Sequence, residues 1–385
     1  MSKIKETELR FYRESDWEGV RSFLHSNWRE NHPICRKELF DWQHKGFGYE
    51  AGEANPLVLL HTDEVVGFRG AIPGLYQVPL KNGEMEIVKG GSGPMWMVRE
   101  DFRGIPSFRM YTKTIQMFPV MTAAGIKLET SMKFHRRHGF VVLDAMRRYI
   151  IPIDARGFQE LLSISVSIDE IKARFKNLSR NRETVVEPVD PDIEKIAALW
   201  ERTTFPRQIF SLYRNAEFWK WRYLDSCGFE YLFFGDPEYN GTIVARVEEI
   251  IATDSKTLNG KKVFRIIEIL PPSDRIQNED SGRKLSELIR GILGWAANQG
   301  CSMADFQCSS TRFGGLLNDI GSIEQSQSIN EPICSVPSLF QPLGRNFRPI
   351  NMAYRIDLPD DRIVDFNWED TYMIKSESDQ DRPNL

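Results

Sequence analysis

The stretch Trp96-Met97-Val98-Arg99-Glu100-Asp101-Phe102-Arg103-Gly104-Ile105-Pro106-Ser107-Phe108-Arg109, with Lys133-Phe134-His135-Arg136-Arg137-His138-Gly139-Phe140 downstream, decides how the chain is read. A short apolar strand ends at Val98. A polar turn carries Arg103 and Gly104, and Met110, Tyr111, Ile115 and Phe118 then recur at helical spacing, which predicts a helix starting near Ser107. A helix that opens behind a tight turn aims unsatisfied backbone N–H groups at one point, where a diphosphate can sit. The same residues also suit a plain strand-to-helix turn.

Working outward, Gly90-Gly91-Ser92-Gly93 interrupts a strand predicted from Glu84 to Val98. Glycines inside a strand mark a bulge or a close approach, by a ligand among other things. Upstream, Leu9 to Tyr12 predicts a first strand, and Asp16 caps a helix with Val20, Phe23, Leu24 and Trp28 on its apolar face. A second helix, from about Arg36 to His44, carries Leu39, Phe40 and Trp42. Leu57 to Leu60 and Val65 to Phe68, around Thr62-Asp63-Glu64, read as a hairpin, and a strand from Tyr76 to Pro79 precedes a turn at Asn82-Gly83.

After Tyr149 and Ile150 a polar, helix-prone linker from about Phe158 to Arg182 intervenes, and then the pattern restarts. Glu38-Leu39-Phe40-Asp41-Trp42-Gln43-His44 is echoed by Glu217-Phe218-Trp219-Lys220-Trp221-Arg222-Tyr223 at an offset of 179 residues. Leu57 to Leu60 is echoed by Tyr231 to Phe234, Val65-Val66-Gly67 by Ile243-Val244-Ala245, and Gly139 by Gly321, all at nearly the same spacing. A near-constant offset through several features implies an internal duplication. The second copy continues with a strand at Val263 to Leu270, a helix from about Arg283 to Gln299 and a buried-type strand around Met303 to Gln307. Between that first strand and helix, Pro271 and Pro272 remove donors, while Asp274, Glu279 and Asp280 repel phosphate. The second copy is therefore not expected to hold a diphosphate.

At 385 residues the chain exceeds the size of one ordinary domain, and 41% apolar with 27% charged residues fits a globular protein. A net charge of −4 disfavours nucleic acid and anionic membranes as partners, so any polyphosphate site must be local. The polar start Met1 to Glu6 lacks a signal-peptide core. Charges interrupt every apolar run, and no membrane span is expected. Five scattered cysteines, Cys35, Cys227, Cys301, Cys308 and Cys334, with no Cys-x-x-Cys spacing, point to a reducing cytoplasm and to no metal site.

The segment at 96–109 resembles motif A of the GCN5-related N-acetyltransferase (GNAT) superfamily: a strand ending in Val, a few polar residues, then Arg-Gly-x-Gly-x-Gly opening a helix. The run at 133–140 resembles motif B, in which a helix leads into Tyr-x-x-x-Gly-Phe, with His135 here at the Tyr position before Gly139-Phe140. Pro106 and Phe108 stand where the family has its later glycines, so one phosphate-binding N–H is lost. The whole chain, with its Asp379-Gln380-Asp381-Arg382-Pro383-Asn384 ending, is similar to tandem-GNAT sugar N-acyltransferases of bacterial surface-polysaccharide pathways.

That resemblance implies an α/β (α+β, mixed-sheet) fold in two tandem GNAT-like domains. They would comprise 1–155 binding acyl-CoA, a linker at 156–184, and a degenerate copy at 185–385 whose tail lies near the acceptor. It implies acyl transfer from acyl-CoA to the amino group of a nucleotide-linked amino sugar, for example a dTDP-4-amino-dideoxy sugar for O-antigen, by a monomer or homodimer. Pantetheine would pair with Trp96, Met97 and Val98. Backbone N–H groups at Ile105, Ser107, Phe108 and Arg109, behind Gly104, would meet the pyrophosphate with help from the Arg103 and Arg109 cations.

The reaction needs a neutral amine, a polarised thioester carbonyl and a proton for the departing thiolate. By resemblance His135 would protonate the thiolate. Its basic neighbours equally allow a solvated face or a contact to the 3′-phosphate of CoA. Ser92 could reach the thioester or the amine, or simply accompany a bend. For a base, Asp305 and Glu268 are carboxylates in apolar strands, where an unpaired charge is costly; each also suits a salt bridge, and a reaction without a protein base is open. Two alternatives stand beside this reading: a Fem-type aminoacyl transferase, against which the net acidity counts, and a non-catalytic GNAT-like binding protein whose motif A has decayed.

Overall fold

The computed structural model describes residues 6–28, 32–127, 131–175, 184–274, 279–325, 331–345, 348–359 and 361–381. The hairpin forms as expected: Leu57–His61 pairs antiparallel with Glu64–Arg69, and Thr62 and Asp63 take the left-handed conformation that a two-residue turn requires, with φ of 51° and 67°. Glu8–Phe11 flanks one side and Trp96–Val98 the other, completing a four-stranded antiparallel sheet.

The chain leaves that sheet at Arg69 and enters a second one as Ile72–Pro79. This strand pairs along its whole length with Met85–Ser92, which in turn runs parallel to Val120–Ala124. One long sequence strand is thus split in two. The break falls at 93–95, taking in Gly93 but not Gly90 or Gly91, and Met95 there has a φ of 53°. Gly90 and Gly91 serve the protein's own packing. A Cβ on Gly90 would lie 2.5 Å from the Val120 carbonyl, and one on Gly91 2.6 Å from the Phe118 ring.

Helix Ile105–Met117 covers this region and buries Met110, Tyr111 and Thr114. It begins two residues before the apolar periodicity does, because Gly104 is the N-cap and Pro106 sits in the first turn, where a missing N–H leaves no bond unmade. The helix Trp17–Asn27 forms as read. The Asp16 carboxylate, however, accepts from the Arg13 N–H and the Arg10 guanidinium and makes no side-chain cap to the helix.

A third sheet has the order Leu232–Phe234, Thr242–Glu249, Lys262–Leu270, Cys301–Cys308, Arg147–Pro152, Ile323–Glu324, with the third and fourth strands parallel. The helix Glu279–Asn298 joins that parallel pair, as helix Ile105–Met117 joins the parallel pair of the second sheet. The two halves exchange strands. Met352–Ile356 lies between Val120–Ala124 and Val141–Leu143, while Arg147–Pro152 lies between Cys301–Cys308 and Ile323–Glu324. A division at 155 therefore does not separate the sheets. The expected linker is also part of the core as far as residue 175: helices Ala155–Leu161 and Ile168–Arg174 bury Phe158, Leu161 and Ile171 in one cluster with Ile150 and Met303. No helix among the described residues is long and apolar enough to cross a membrane.

Candidate active site

The parallel ladder between Met85–Ser92 and Val120–Ala124 ends at Ser92 opposite Thr122, and beyond it the strands part. Gly93 still donates to the Thr122 carbonyl at 3.1 Å, but Trp96–Val98 has turned to pair with Gly67–Arg69. The result is a fork. The outer edge of Trp96–Val98 has no strand beside it among the described residues, which leaves backbone groups for an extended ligand to meet.

Helix Ile105–Met117 opens just past the fork. Gly104 has a φ of 102°, a conformation that side chains resist, and nothing lies within 4 Å of where its Cβ would stand. The Phe108 N–H already donates to the Gly104 carbonyl at 2.9 Å, and Arg109 follows the same helical pattern. The free donors are therefore those of the first turn, Ile105 and Ser107, and not Phe108 and Arg109 as expected. Arg103 and Arg109 are exposed beside this opening, with no ion pair among the described residues.

His135 is buried, 5.3 Å from the Tyr111 ring and 4.9 Å from Phe140. Its Nδ1 lies 2.7 Å from the Ser131 carbonyl, an acceptor only, so Nδ1 carries the proton and Nε2 presents a lone pair. Burial pulls its pKa down to about 4, against the Ser131 hydrogen bond. At neutral pH the ring is uncharged with its acceptor side free, which does not suit it to protonate a thiolate. Further buried polar atoms without hydrogen-bond partners among the described residues belong to the same region: Trp96 Nε1, Tyr111 Oη, and Arg69 Nε and Nη2. Trp96 packs 4.9 Å from Tyr111, and the Arg69 guanidinium is 5.9 Å from the Trp96 ring.

Ser92 is not part of that group. Strand alternation puts it on the face of Gly90, toward Tyr76, which bonds Thr122 at 2.8 Å, whereas Gly91 and Gly93 face Phe118 and Arg69. Asp305 is also placed elsewhere, in the third sheet, with one oxygen 2.7 Å from Arg148 and the other 2.7 Å from Arg265. Burial alone would raise its pKa, but Arg265 and Arg148 hold it below the ordinary value. Glu268 accepts from Arg214 at 3.0 Å and from Tyr223 at 2.7 Å. Both carboxylates are committed to buried ion pairs, and neither is free to act as a base.

The second parallel pair, Lys262–Leu270 with Cys301–Cys308, is in register as far as Ile266 and Phe306, and the space beyond is filled by the chain's own tail. Tyr372 Oη takes the Ile269 N–H at 3.0 Å and lies 3.3 Å from the Ile269 carbonyl. Ser309 N–H donates to the Met373 carbonyl at 2.9 Å, and Ile374 bridges to Cys308. These contacts occupy the end of that second pair, beside the prolines and acids read from sequence. Residues 275–278 of that loop lie outside the described residues.

From there the tail stays anchored in the second half through Glu377 and Asp381 and touches the first half at Asp379 and Gln380. Glu377 pairs with Arg214 at 2.6 Å, and Asp381 is bound by Arg246 at 2.8 Å, Arg222 at 3.4 Å and Tyr231 at 2.8 Å. A Cβ on Gly125 would lie 2.6 Å from Gln380, and the charge of Asp379 couples to Arg69. The expected ordered tail is thus present to Asp381. Sequence reasoning passed over Arg69, whose signal was a lone cation in Val65-Val66-Gly67-Phe68-Arg69-Gly70-Ala71-Ile72.

No protein-family model matches the chain, and no curated protein matches it in sequence. Solved structures do resemble it. The Saccharomyces cerevisiae N-myristoyltransferase with bound myristoyl-CoA superposes with a TM-score of 0.55 at 14% identity, over 92% of this chain and 80% of that one. A GCN5-related N-acetyltransferase from Kribbella flavida gives 0.55 at 12% identity, over 92% and 72%. One from Anabaena variabilis gives 0.52 at 11% identity, over 92% and 73%. These likenesses establish the architecture: the chain has the mixed α/β fold shared by GNAT acetyltransferases and N-myristoyltransferase.

Proposed function

We propose that the chain is an acyl-CoA-dependent N-acyltransferase. The fork between Trp96–Val98 and Val120–Ala124, facing the open start of helix Ile105–Met117, is the observation that carries this reading. Pantetheine lies along the free edge of Trp96–Val98, and the pyrophosphate takes the first-turn donors at Ile105 and Ser107 with Arg103 and Arg109 beside it. The solved N-myristoyltransferase holding myristoyl-CoA supports the choice of carrier.

The acceptor is the amino group of a nucleotide-linked amino sugar destined for a bacterial surface polysaccharide. This part rests on the sequence resemblance and on the buried tail reaching the fork at Asp379 and Gln380. Mass spectrometry of the products from a panel of acyl-CoAs and amines, with sugar nucleotides and peptides in parallel, tests it. An acylated amino-sugar nucleotide is the expected product. Acylation of peptides alone would replace the acceptor, and no transfer with any pair would reject the enzyme.

A further inference from the structure

Given the acyl-transfer reading, a thioester at the crotch of the fork needs a hydrogen-bond donor for its carbonyl oxygen, and backbone donors are scarce there. The Gly93 N–H is spent on Thr122, and Pro94 has none. Arg69 stands at this point. It ends the strand Glu64–Arg69, is 3% exposed, and neither Nε nor Nη2 meets an acceptor among the described residues. A Cβ on Gly93 would lie 2.3 Å from Nη2, so the guanidinium rests against the backbone where the ladder stops. Only glycine leaves it that room.

Burial lowers the Arg69 pKa to about 10, which still leaves it charged at neutral pH. Its charge couples to Tyr111 and to Asp379, yet neither carries a hydrogen bond to Nε or Nη2. A buried cation whose donors go unmet is costly, and a fold that retains one has a use for those donors. We propose that Arg69 is a catalytic residue that holds the thioester oxygen through Nε–H and Nη2–H.

The amine nitrogen forms the C–N bond with its lone pair as the carbonyl π pair moves onto oxygen. The oxyanion so formed is the charge that Arg69 offsets in a low-dielectric site. Collapse breaks the C–S bond with its electron pair leaving on sulfur. The proton shed by nitrogen ends on that sulfur, giving amide and free CoA thiol.

The test compares the unsubstituted chain with Arg69→Met and Arg69→Lys, reading thiol release from acetyl-CoA with the best amine of the panel, CoA affinity by calorimetry, and the thermal midpoint. In R69M kcat is expected to fall about 10²–10³-fold, as on losing an oxyanion donor, while CoA affinity stays within about twofold and the midpoint holds or rises once the unmet charge is gone. R69K is expected to recover part of the rate. Unchanged kcat in R69M overturns the role of Arg69 alone. CoA affinity lost in step with kcat, or a midpoint that falls with it, also overturns that role. No transfer by the unsubstituted chain overturns the acyl-transfer reading and this role with it.

Discussion

The indole N–H of Trp42 donates to the backbone carbonyl of Trp221 at 2.8 Å, and the indole N–H of Trp221 donates to the carbonyl of Trp42 at 2.9 Å. Their rings stack 5.6 Å apart, at 23°. The two tryptophans hold the same place in the two sequence echoes, 179 residues apart. A contact in which each member gives what it receives has the form made by a two-fold axis, here between unlike halves of one chain.

Trp42→Phe and Trp221→Phe are therefore expected to cost similar amounts, about 1–2 kcal/mol each, because each leaves one buried carbonyl without its donor while keeping most of the ring. Urea unfolding of both variants measures this. A large loss in one and none in the other would show that the contact is not shared evenly.

Asp381 neutralises two arginines that are themselves buried, Arg222 and Arg246. Burial would raise its pKa, but those arginines hold it well below the ordinary carboxylate value. Asp381→Asn is expected to destabilise the fold by about 3–5 kcal/mol, since it leaves the buried Arg222 without a carboxylate and Arg246 with Glu248 alone. Calorimetric unfolding reads the loss. For the same reason, cutting the chain at Ser378 would change stability and not only turnover, so single substitutions at Asp379 or Gln380 are the cleaner probes of the tail's part in the site. A D381N midpoint equal to that of the parent would contradict the network.

Asp305 offers a matching contrast. As a doubly paired carboxylate, its change to Asn is expected to lower stability while leaving the pH dependence of kcat in the folded protein unchanged. Loss of the acidic limb of the rate profile, where a catalytic base would take up its proton, would restore it as a base.

His135 makes stability depend on pH in a stated window. The unfolded imidazole takes up a proton near pH 6.5, while the folded one resists until about 4. The folded state thus binds fewer protons in between, and stability is lost as pH falls from 6.5 toward 4, by about 3 kcal/mol for this group. In His135→Gln that contribution is absent, so the thermal midpoints of parent and variant are expected to converge or cross as the pH drops through this range. Parallel curves would contradict the assignment.

Most of the local structure was legible in the sequence because it depends on local periodicity. The hairpin at 57–69, the helices at 17–27 and 37–45, and the strand that ends at Val98 follow from spacing and turn residues. Gly139 and Gly321, matched by the repeat, both take positive φ, 78° and 94°. What spacing does not encode is which distant strand pairs with which. Arg147–Pro152 and Met352–Ile356 are short strands in which nothing local says that they change sheets. Likewise Asp305 and Glu268 are carboxylates in apolar strands either way; only the fold shows that arginines forty or more residues away meet them. Arg69 was passed over for the complementary reason, since an unmet donor is visible only once every neighbour has been placed.

The central claim is that one carrier binds per chain, in the first fork, while Tyr372 and its neighbours close the second. Calorimetric titration with acetyl-CoA tests it most directly, using the parent and Gly104→Val, in which a branched side chain must enter the open space before the helix at a φ of 102°. A stoichiometry of about one, with affinity at least roughly tenfold weaker in G104V, is the expected result. Two carriers per chain, or undiminished affinity in G104V, would contradict it.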